Sequence, residues 1–267
     1  MELETYARIK YQIKKRLDID LDHYKDEQMR RRLDSWLVRS GAPGWEEYFY
    51  RLDRDPDELA RLRNYLTINV SSFFRDKERW NALREVVLTP LLHEAQRTRP
   101  LGTGLNIWSA GCSTGPEPYT LLMILDEMAR GLQHHILATD LDRQALEKAR
   151  AGGPYMADEI KNLTPEQRLK YLEPEPPYRV KKAFTRRINF REHNLLADPF
   201  PPDLDLIVCR NVVIYFTNQT KDQLYRRFFE ALRPGGYLFV GATEIVPRYA
   251  EIGFRLKAIS FYQKPLS

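Results

Sequence analysis

The sequence is poor in the features that mark secreted, membrane-spanning and metal-binding proteins. Only two cysteines, Cys112 and Cys209, occur among 267 residues, and they do not stand in zinc-ligand spacing. No apolar run approaches the roughly 18–20 residues that a membrane-spanning helix needs. The polar start MELETYARIK lacks the pattern of an export signal. We therefore expect a cytoplasmic protein with no metal site and no direct membrane insertion.

Charge is close to balanced, with 42 lysine and arginine residues against 37 aspartate and glutamate residues, which gives a formal net charge of +5. An excess of this size is too weak to indicate nucleic acid, and basic residues do not interleave with aromatic ones as in an RNA-binding module. Hydrophobic residues make up 43% of the chain and charged residues 30%, as in ordinary globular proteins. We therefore expect a folded protein that binds no nucleic acid.

Residues 1–75 have the pattern of helices and predict a small all-α N-terminal domain. Apolar residues recur at helical spacing over residues 6–17 and 26–40, and Gly41 is a natural stop for the second helix. Asp55 and Pro56 resemble an N-cap followed by a first-turn proline, which opens a helix through Leu66. Residues 76–104 are expected to form a connecting helix and a linker.

From residue 105 onwards, short apolar runs alternate with helical patterns. LNIWSA, HILATD, LDLIVC and GYLFVGA are predicted strands, with helices predicted between them. This alternation predicts an α/β domain with a mainly parallel sheet over residues 105–267, and the last run, FRLKAISFYQK, is expected to pair antiparallel. Residues 177–193 follow the proline-rich EPEPPY and are expected to form a small antiparallel β insertion.

A glycine-containing loop, AGCSTG at 110–115, follows the first predicted strand. Glycine lets a chain turn sharply there and approach a ligand closely. The pattern departs from the dinucleotide fingerprint, and no lysine follows to make a phosphate-binding loop. Taken alone, the loop indicates little more than a tight turn or a nucleotide-like ligand.

Two further features of the sequence narrow the choice of ligand class. Asp140 ends the next predicted strand, where a carboxylate can accept hydrogen bonds from both ribose hydroxyls of an adenosine group. A Pro-Gly-Gly turn at 234–236 leads into a later strand, and the combination is typical of class I methyltransferases. Glu117, in the first turn after the loop, either complements the helix dipole or accepts the ammonium group of the ligand. Asp142 is the expected cap of the helix after Asp140.

Five segments together resemble the chemotaxis receptor methyltransferases of the CheR type. They are NVSSFFRD at 69–76, WSAGCSTGPEPYTL at 108–121, LATDLDRQALEKAR at 137–150, HNLLAD at 193–198 and VCRNVVIYF at 208–216. The resemblance implies a class I methyltransferase sheet of Rossmann type after a helical domain. It also implies methyl transfer from S-adenosylmethionine to glutamate carboxylates of chemoreceptors, which yields glutamyl methyl esters and S-adenosylhomocysteine.

The resemblance also implies roles for individual residues. Arg75 would orient the acceptor carboxylate, and Tyr215 would lie near the transferred methyl, which makes these two the expected catalytic residues. No general base is needed, because a carboxylate with a pKa of about 4.3 is already ionised at neutral pH. The implied cofactor contacts are Asn69, Ser71, Arg75, Gly111, Glu117, Asp140, Asn194, Leu195, Arg210 and Asn211.

Purely structural roles are the alternative for several of these positions. Phe73 and Phe74, beside the implied contacts, are expected in the core instead of on the cofactor. Asn211 could simply occupy a turn, and Arg75 with Asp76 could form a surface ion pair of little energetic weight.

The implied partner is the acidic cytoplasmic helix bundle of a chemoreceptor. Arg30, Arg31 and Arg32, with Arg39 on the same predicted helix, are expected to supply a complementary basic surface, although a solvated helix face would look the same. Some relatives carry a glycine-containing loop that docks a receptor tether, and EPEPP at 173–177 stands there instead, as in the tether-independent branch. We expect a monomer recruited to membrane receptor arrays.

Two other functions compete with this interpretation. One is a methyltransferase for RNA or a small molecule, and the other is a module that senses S-adenosylmethionine without catalysis. HNLLAD and CRNVVIYF argue against the first, and the presence of both Arg75 and Tyr215 argues against the second.

Overall fold

A computed structural model describes residues 2–67 and 69–266. The chain forms two compact units. The first consists of Met1–Asn69 and Ile214–Lys221, and the second of Val70–Val213 and Asp222–Ser267. The domain boundaries predicted at residues 75 and 104 stay predictions. The expected connecting helix belongs to the second unit, which begins at Val70.

The first unit is helical, as predicted. Gly41, in the left-handed conformation at φ 66°, ends the second helix, and the carboxylate of Asp55 caps the fourth by accepting hydrogen bonds from the N–H groups of Asp57 and Glu58. The helices are α1 (Leu3–Leu17), α2 (Asp26–Ser40), α3 (Trp45–Leu52) and α4 (Pro56–Leu66), with a 3-10 turn at Leu21–His23. Their buried faces include the predicted positions Tyr6, Ile9, Ile13, Leu17, Met29 and Leu33.

A distant segment, Ile214–Lys221, completes the first unit. The N–H of Lys25 donates to the carbonyl of Tyr215 at 3.0 Å, and the N–H of Thr217 donates to the carbonyl of His23 at 2.9 Å. Tyr24 and Phe216 form an antiparallel bridge, with their rings edge to face at 4.9 Å. Backbone pairing therefore holds this segment against the start of α2.

The remaining elements alternate between helices and strands. In chain order they are α5 (Lys77–Leu83), a π turn (Arg84–Leu88), α6 (Thr89–Thr98), β1 (Thr103–Ala110), α7 (Pro116–Met128), β2 (Gln133–Asp140), α8 (Arg143–Arg150), α9 (Ala157–Ile160), α10 (Pro165–Tyr171), α11 (Lys182–Thr185), β3 (Ile188–Glu192), β4 (Leu204–Cys209), a 3-10 turn (Val213–Tyr215), α12 (Asn218–Ala231), β5 (Leu232–Val240), α13 (Tyr249–Ile252), β6 (Arg255–Ala258) and β7 (Phe261–Gln263). None of the helices in the described part of the chain is long and apolar enough to cross a membrane.

The strands of the described residues form one sheet in the order β3-β2-β1-β4-β5-β7-β6. Neighbouring strands from β3 to β5 pair in parallel, and β7 runs antiparallel to both β5 and β6. The sheet differs from the doubly wound order 3-2-1-4-5-6 by the antiparallel strand between β5 and β6. The predicted α/β class and the predicted antiparallel end are both confirmed.

The antiparallel insertion expected over residues 177–193 is wrong for residues 188–192. Ile188–Glu192 forms β3, which pairs in parallel with β2 at the edge of the main sheet. Ile188 and Phe190 are buried, whereas Asn189 and Arg191 are exposed. The same alternation suits a sheet edge or a hairpin, so local pattern could not distinguish them. Upstream, Tyr178 and Val180 make isolated antiparallel bridges to Tyr155 and Leu172.

Candidate active site

The second unit brings most of the predicted cofactor residues to one edge of the sheet. Parallel strands end at the same edge, where open α/β sheets bind their ligands. The glycine loop follows β1, Asp140 ends β2, and the segments 194–195 and 210–211 follow β3 and β4. Ser71 and Arg75 also belong to this unit, whereas Asn69, Tyr215 and the arginines 30–32 belong to the first.

The backbone of the glycine loop needs glycine at both ends. Gly111 has φ +81°, and a Cβ there would lie 2.4 Å from Cγ2 of Val212. Gly115 has φ +98°, and a Cβ there would lie 2.9 Å from the Cβ of Ala149. A side chain at either position would be strained and would also clash, so the loop has one tightly packed conformation.

Asp140 ties the end of β2 to the glycine loop. Its Oδ2 accepts a hydrogen bond from the N–H of Ser113 at 2.7 Å, and its Oδ1 accepts one from the N–H of Asp142 at 2.9 Å. Burial raises the pKa of Asp140 to about 6. Each oxygen of a carboxylate can accept further bonds, so the group is suited to a pair of hydroxyls. Asp142 caps α8, as predicted.

Glu117 is a carboxylate with 12% of its side chain exposed and with incomplete charge compensation. It lies in the first turn of α7, where Oε1 accepts a hydrogen bond from Oγ of Ser109 at 3.3 Å. Its Oε2 lies 3.4 Å from Nη1 of Arg210. Burial raises the pKa of Glu117 to about 7, and the charge of Arg210 opposes this rise only in part. A cation bound beside Glu117 would favour its ionised form.

Arg210 is engaged with protein groups. Its side chain is 2% exposed, and Nη2 donates to Oδ2 of Asp76 at 2.8 Å and to the carbonyl of Arg75 at 3.2 Å. The guanidinium also lies over the rings of Trp80 and Phe239, 5.1 and 4.8 Å from their centroids. A direct contact of Arg210 with the cofactor stays a prediction.

The segment before α5 is anchored by its aromatic residues. Phe73 and Phe74 are buried in the core, as expected. The N–H of Phe74 donates to Oγ1 of Thr120 at 3.0 Å, and the indole N–H of Trp80 donates to the carbonyl of Arg75 at 2.8 Å. The backbone that carries Arg75 is therefore fixed on both sides.

The side chain of Arg75 is less constrained than its backbone. Nη1 donates to the carbonyl of Val70 at 3.1 Å. Asp76 pairs with Arg210, so the alternative of an Arg75–Asp76 surface pair is wrong. Over residues 2–67 and 69–266, no carboxylate forms an ion pair with Arg75. Its guanidinium can therefore receive an external carboxylate.

The loop after β3 forms a compact turn. Oδ1 of Asn194 accepts a hydrogen bond from the N–H of Leu196 at 2.9 Å, and the N–H of Asn194 donates to Oδ2 of Asp198 at 2.8 Å. Nη1 of Arg227 donates to the carbonyl of Leu195 at 2.5 Å. The predicted adenine-side segment is thereby held in a defined shape.

Glu244 was missed by the sequence analysis. Its Oε2 accepts hydrogen bonds from the N–H groups of Asn211 at 2.8 Å and Gly241 at 2.6 Å, so it joins the loops that follow β4 and β5. Asn211 has φ +60°, which supports the turn role weighed for it. The sequence signal that could have pointed to Glu244 is an acidic residue soon after a predicted strand that ends at this edge of the sheet.

A cleft in the first unit gathers two of the three predicted arginines. Its volume is about 490 Å³, and its lining residues are Glu27, Gln28, Arg31, Arg32 and Tyr215. Arg30 instead lies over the ring of Tyr6, 4.6 Å from its centroid. Consecutive residues of a helix point in directions about 100° apart, so three adjacent arginines cannot share one face.

Comparison with known proteins identifies the family. Residues 69–259 match the family described as CheR methyltransferase, SAM binding domain, and residues 4–67 match CheR methyltransferase, all-alpha domain. The chain belongs to the CheR methyltransferase family. The chemotaxis protein methyltransferase of Listeria monocytogenes is 38% identical over 253 residues, which are 94% of each chain. That of Escherichia coli K12 is 34% identical over 251 residues, which are 90% of this chain and 83% of the relative.

The family confirms the predicted fold, cofactor and activity. This CheR-type protein is an S-adenosylmethionine-dependent protein methyltransferase of chemotaxis. The residues at the sheet edge fit that cofactor, since Glu117 is a carboxylate that lacks full compensation and Asp140 has acceptor capacity for hydroxyls. The individual contacts stay predictions.

Proposed function

We propose that this CheR-type enzyme methylates glutamate side chains on the cytoplasmic helices of chemoreceptors, at membrane receptor arrays. The observation that carries the proposal is the guanidinium of Arg75, which has no carboxylate partner in the described residues although its backbone is fixed. Such a group at the edge of a cofactor site can hold an incoming carboxylate by paired hydrogen bonds.

The cofactor would be held by charge at one end and by hydroxyl recognition at the other. S-adenosylmethionine, when bound, supplies a methyl group attached to a positively charged sulfur. Glu117 would accept the ammonium group, and Asp140 the two ribose hydroxyls. Asn194 and Leu195 would border the adenine. Asn69, Ser71, Gly111 and Asn211 are the further proposed contacts.

The acceptor needs orientation but no activation. A glutamate carboxylate with a pKa of about 4.3 is ionised at neutral pH, so no residue has to remove a proton. Arg75 would direct one carboxylate oxygen toward the methyl group, and Tyr215 would hydrogen-bond or pack beside the acceptor. Catalysis then depends mainly on alignment of the reacting atoms and on exclusion of water.

The basic cleft of the first unit would receive the acidic receptor helix. Arg31 keeps 78% of its side chain exposed. Arg32 is more fixed, because its guanidinium donates to the carbonyl of Tyr65 and lies over that ring, 4.6 Å from its centroid. The ion pair of Arg31 with Glu27 is exposed as well, so an acidic receptor helix could compete for Arg31 while Arg32 stays fixed. Arg30, stacked on Tyr6, would contribute only to the wider positive field.

We further propose a monomer that needs neither nucleic acid nor a receptor tether. The segment 173–177, Glu-Pro-Glu-Pro-Pro, offers no glycine loop for a tether peptide. The formal charge of +5 is small for a nucleic-acid enzyme.

The deciding experiment is incubation of the protein with methyl-labelled cofactor and receptor-containing membranes. We expect base-labile label on receptor glutamates, and label that resists base would contradict the proposal.

Arg75→Ala should abolish most transfer while the affinity for S-adenosylhomocysteine falls much less. Arg75→Lys should restore little transfer, because an ammonium group cannot form the paired hydrogen bonds.

The receptor surface needs its own variants. Arg31→Glu with Arg32→Glu should weaken receptor methylation and leave product binding unchanged. The matched control is Lys15→Glu with Arg54→Glu, two exposed cations elsewhere on the same unit. Equal losses in both double variants would show that only general charge matters.

A further inference from the structure

We propose that Arg210 is a positioning residue that links Glu117 to the backbone carrying Arg75, so that cofactor binding and acceptor orientation depend on one another. The inference rests on the proposed function, which assigns the cofactor ammonium to Glu117 and the acceptor carboxylate to Arg75. It gives Arg210 a role that does not require contact with either ligand.

The two ends of the guanidinium serve different partners. Nη1 lies 3.4 Å from Oε2 of Glu117, and Nη2 donates to Oδ2 of Asp76 at 2.8 Å and to the carbonyl of Arg75 at 3.2 Å. The guanidinium is planar and rigid, so its two terminal nitrogens keep a fixed separation. A shift of one carboxylate is therefore passed to the other.

The backbone on the Arg75 side is strained and needs such support. Phe74 has φ +48° and Asp76 has φ +58°, in the left-handed region that non-glycine residues rarely occupy. Strained residues persist only where their surroundings hold them. Thr120 and Trp80 hold this segment through its backbone. Arg210 connects it to Glu117 by two contacts, the ion pair with Asp76 and the hydrogen bond to the carbonyl of Arg75.

Arg210 also sets the charge balance at Glu117. The groups that face this carboxylate are the hydroxyl of Ser109 on β1, Arg210 after β4 and Glu244 after β5. Arg210 lowers the pKa of Glu117, whereas Glu244 raises it. Loss of the Arg210 charge should therefore leave Glu117 protonated over a wider pH range and weaken its attraction for a cation.

The test uses the full chain and four variants, Arg210→Lys, Asp76→Asn, Glu117→Gln and Arg75→Ala. Affinity for S-adenosylhomocysteine is measured by calorimetry on both sides of neutral pH, and kcat and KM are measured with receptor membranes. Hydrogen exchange of residues 73–80 reports the strained segment directly. Asp222→Asn, which removes an ion pair with Arg226 and Arg248 on the surface, is the matched control.

Asp76→Asn weakens the link selectively, because it removes the charge of one partner and leaves Arg210, Glu117 and the hydrogen bond to the carbonyl of Arg75 in place. We expect a roughly tenfold loss of kcat, the order expected when a hydrogen bond between two charged groups keeps only one charge, with a smaller change in product affinity. Hydrogen exchange of residues 73–80 should be faster than in the wild type. Product binding, which should slow this exchange in the wild type, should no longer do so. Arg210→Lys should behave alike, because one ammonium cannot span both carboxylates.

The inference would be overturned if both Asp76→Asn and Arg210→Lys had the kcat, the hydrogen exchange and the product affinity of the wild type. The effects of Glu117→Gln and Arg75→Ala separate this failure from a failure of the proposed function. If those two variants lose binding and transfer while the Arg210 and Asp76 variants do not, only the link is wrong. If none of the four has an effect, the proposed site itself is wrong.

Discussion

Asp140 holds Ser113 by a hydrogen bond of 2.7 Å from the backbone N–H of Ser113 to Oδ2 of the carboxylate. The end of β2 therefore fixes the loop that follows β1. One side chain serves the conformation of the loop and, in our proposal, the recognition of ribose. A substitution at Asp140 can therefore affect the conformation of the loop, the binding of ribose, or both.

Replacement of Asp140 by asparagine keeps one oxygen for the loop and removes the charge. We expect product affinity to fall roughly tenfold to a hundredfold, as for the loss of one or two charged hydrogen bonds. Calorimetry with S-adenosylhomocysteine measures the change. Asp158→Asn, which removes an exposed ion pair with Lys161, is the control and should bind normally. Wild-type affinity in Asp140→Asn would exclude a ligand contact at this carboxylate.

Product binding should depend on pH through Glu117. The pKa of Glu117 is about 7 without a ligand cation, and a bound ammonium favours the ionised form. Affinity should therefore rise with pH through neutrality, and below about pH 7 it should fall by up to tenfold per pH unit. Binding should release a proton, which calorimetry in buffers of different ionisation enthalpy detects. Glu117→Gln should bind more weakly and lose most of this dependence, and an unchanged pH profile would refute the assignment.

Tyr155 supports the glycine loop from outside the sheet. Its buried hydroxyl donates to the carbonyl of Thr114 at 2.7 Å. Tyr155→Phe should reduce the free energy of unfolding by about 1 kcal/mol and weaken product binding through a looser loop. Denaturant titration and calorimetry measure the two effects. Tyr11→Phe, at an exposed tyrosine, should change neither.

His134 should make the fold sensitive to acid. Burial lowers its pKa to about 4, below the unfolded value near 6.5, and Nδ1 accepts a hydrogen bond from the N–H of Leu105. The unfolded chain therefore takes up the proton first, and stability that is full above about pH 6.5 should decline by about 3 kcal/mol as the pH falls to 4.

A variant that keeps the acceptor without the titration tests this account of His134. His134→Asn offers Oδ1 to Leu105 and should flatten the acid limb of the stability curve, measured by denaturant titration at several pH values. His93→Asn, at an exposed histidine, should leave the curve as in the wild type. A curve for His134→Asn that still falls as steeply would assign the acid sensitivity to other groups.

Features that depend on neighbouring residues could be predicted from the sequence. The stop at Gly41, the cap at Asp55 and the cap at Asp142 each need only the next few residues, and all three occur as predicted. The strand that ends at Asp140 and the strand before Arg210 were also found, because short apolar runs that alternate with helical patterns carry a strong signal.

Features that depend on distant residues could not be predicted. Arg210 and Asp76 are 134 positions apart, and nothing beside either one indicates the other. The strand Ile188–Glu192 was given the wrong neighbours because alternation shows which face is buried but not which strand lies beside it. Glu244 was missed because it bonds to the backbone of two loops, and no side-chain motif records such a contact.

The return of Ile214–Lys221 to the first unit has a consequence for biosynthesis. Because the backbone of Lys25 pairs with that of Tyr215, the ribosome must add 190 more residues after Lys25 before the helical unit can be completed. The chain passes between the two units three times, after residues 69, 213 and 221. The helical unit therefore cannot finish folding before the strands β1 to β4 have been synthesised, and a nascent chain arrested before Tyr215 should expose the unpaired start of α2 to proteases.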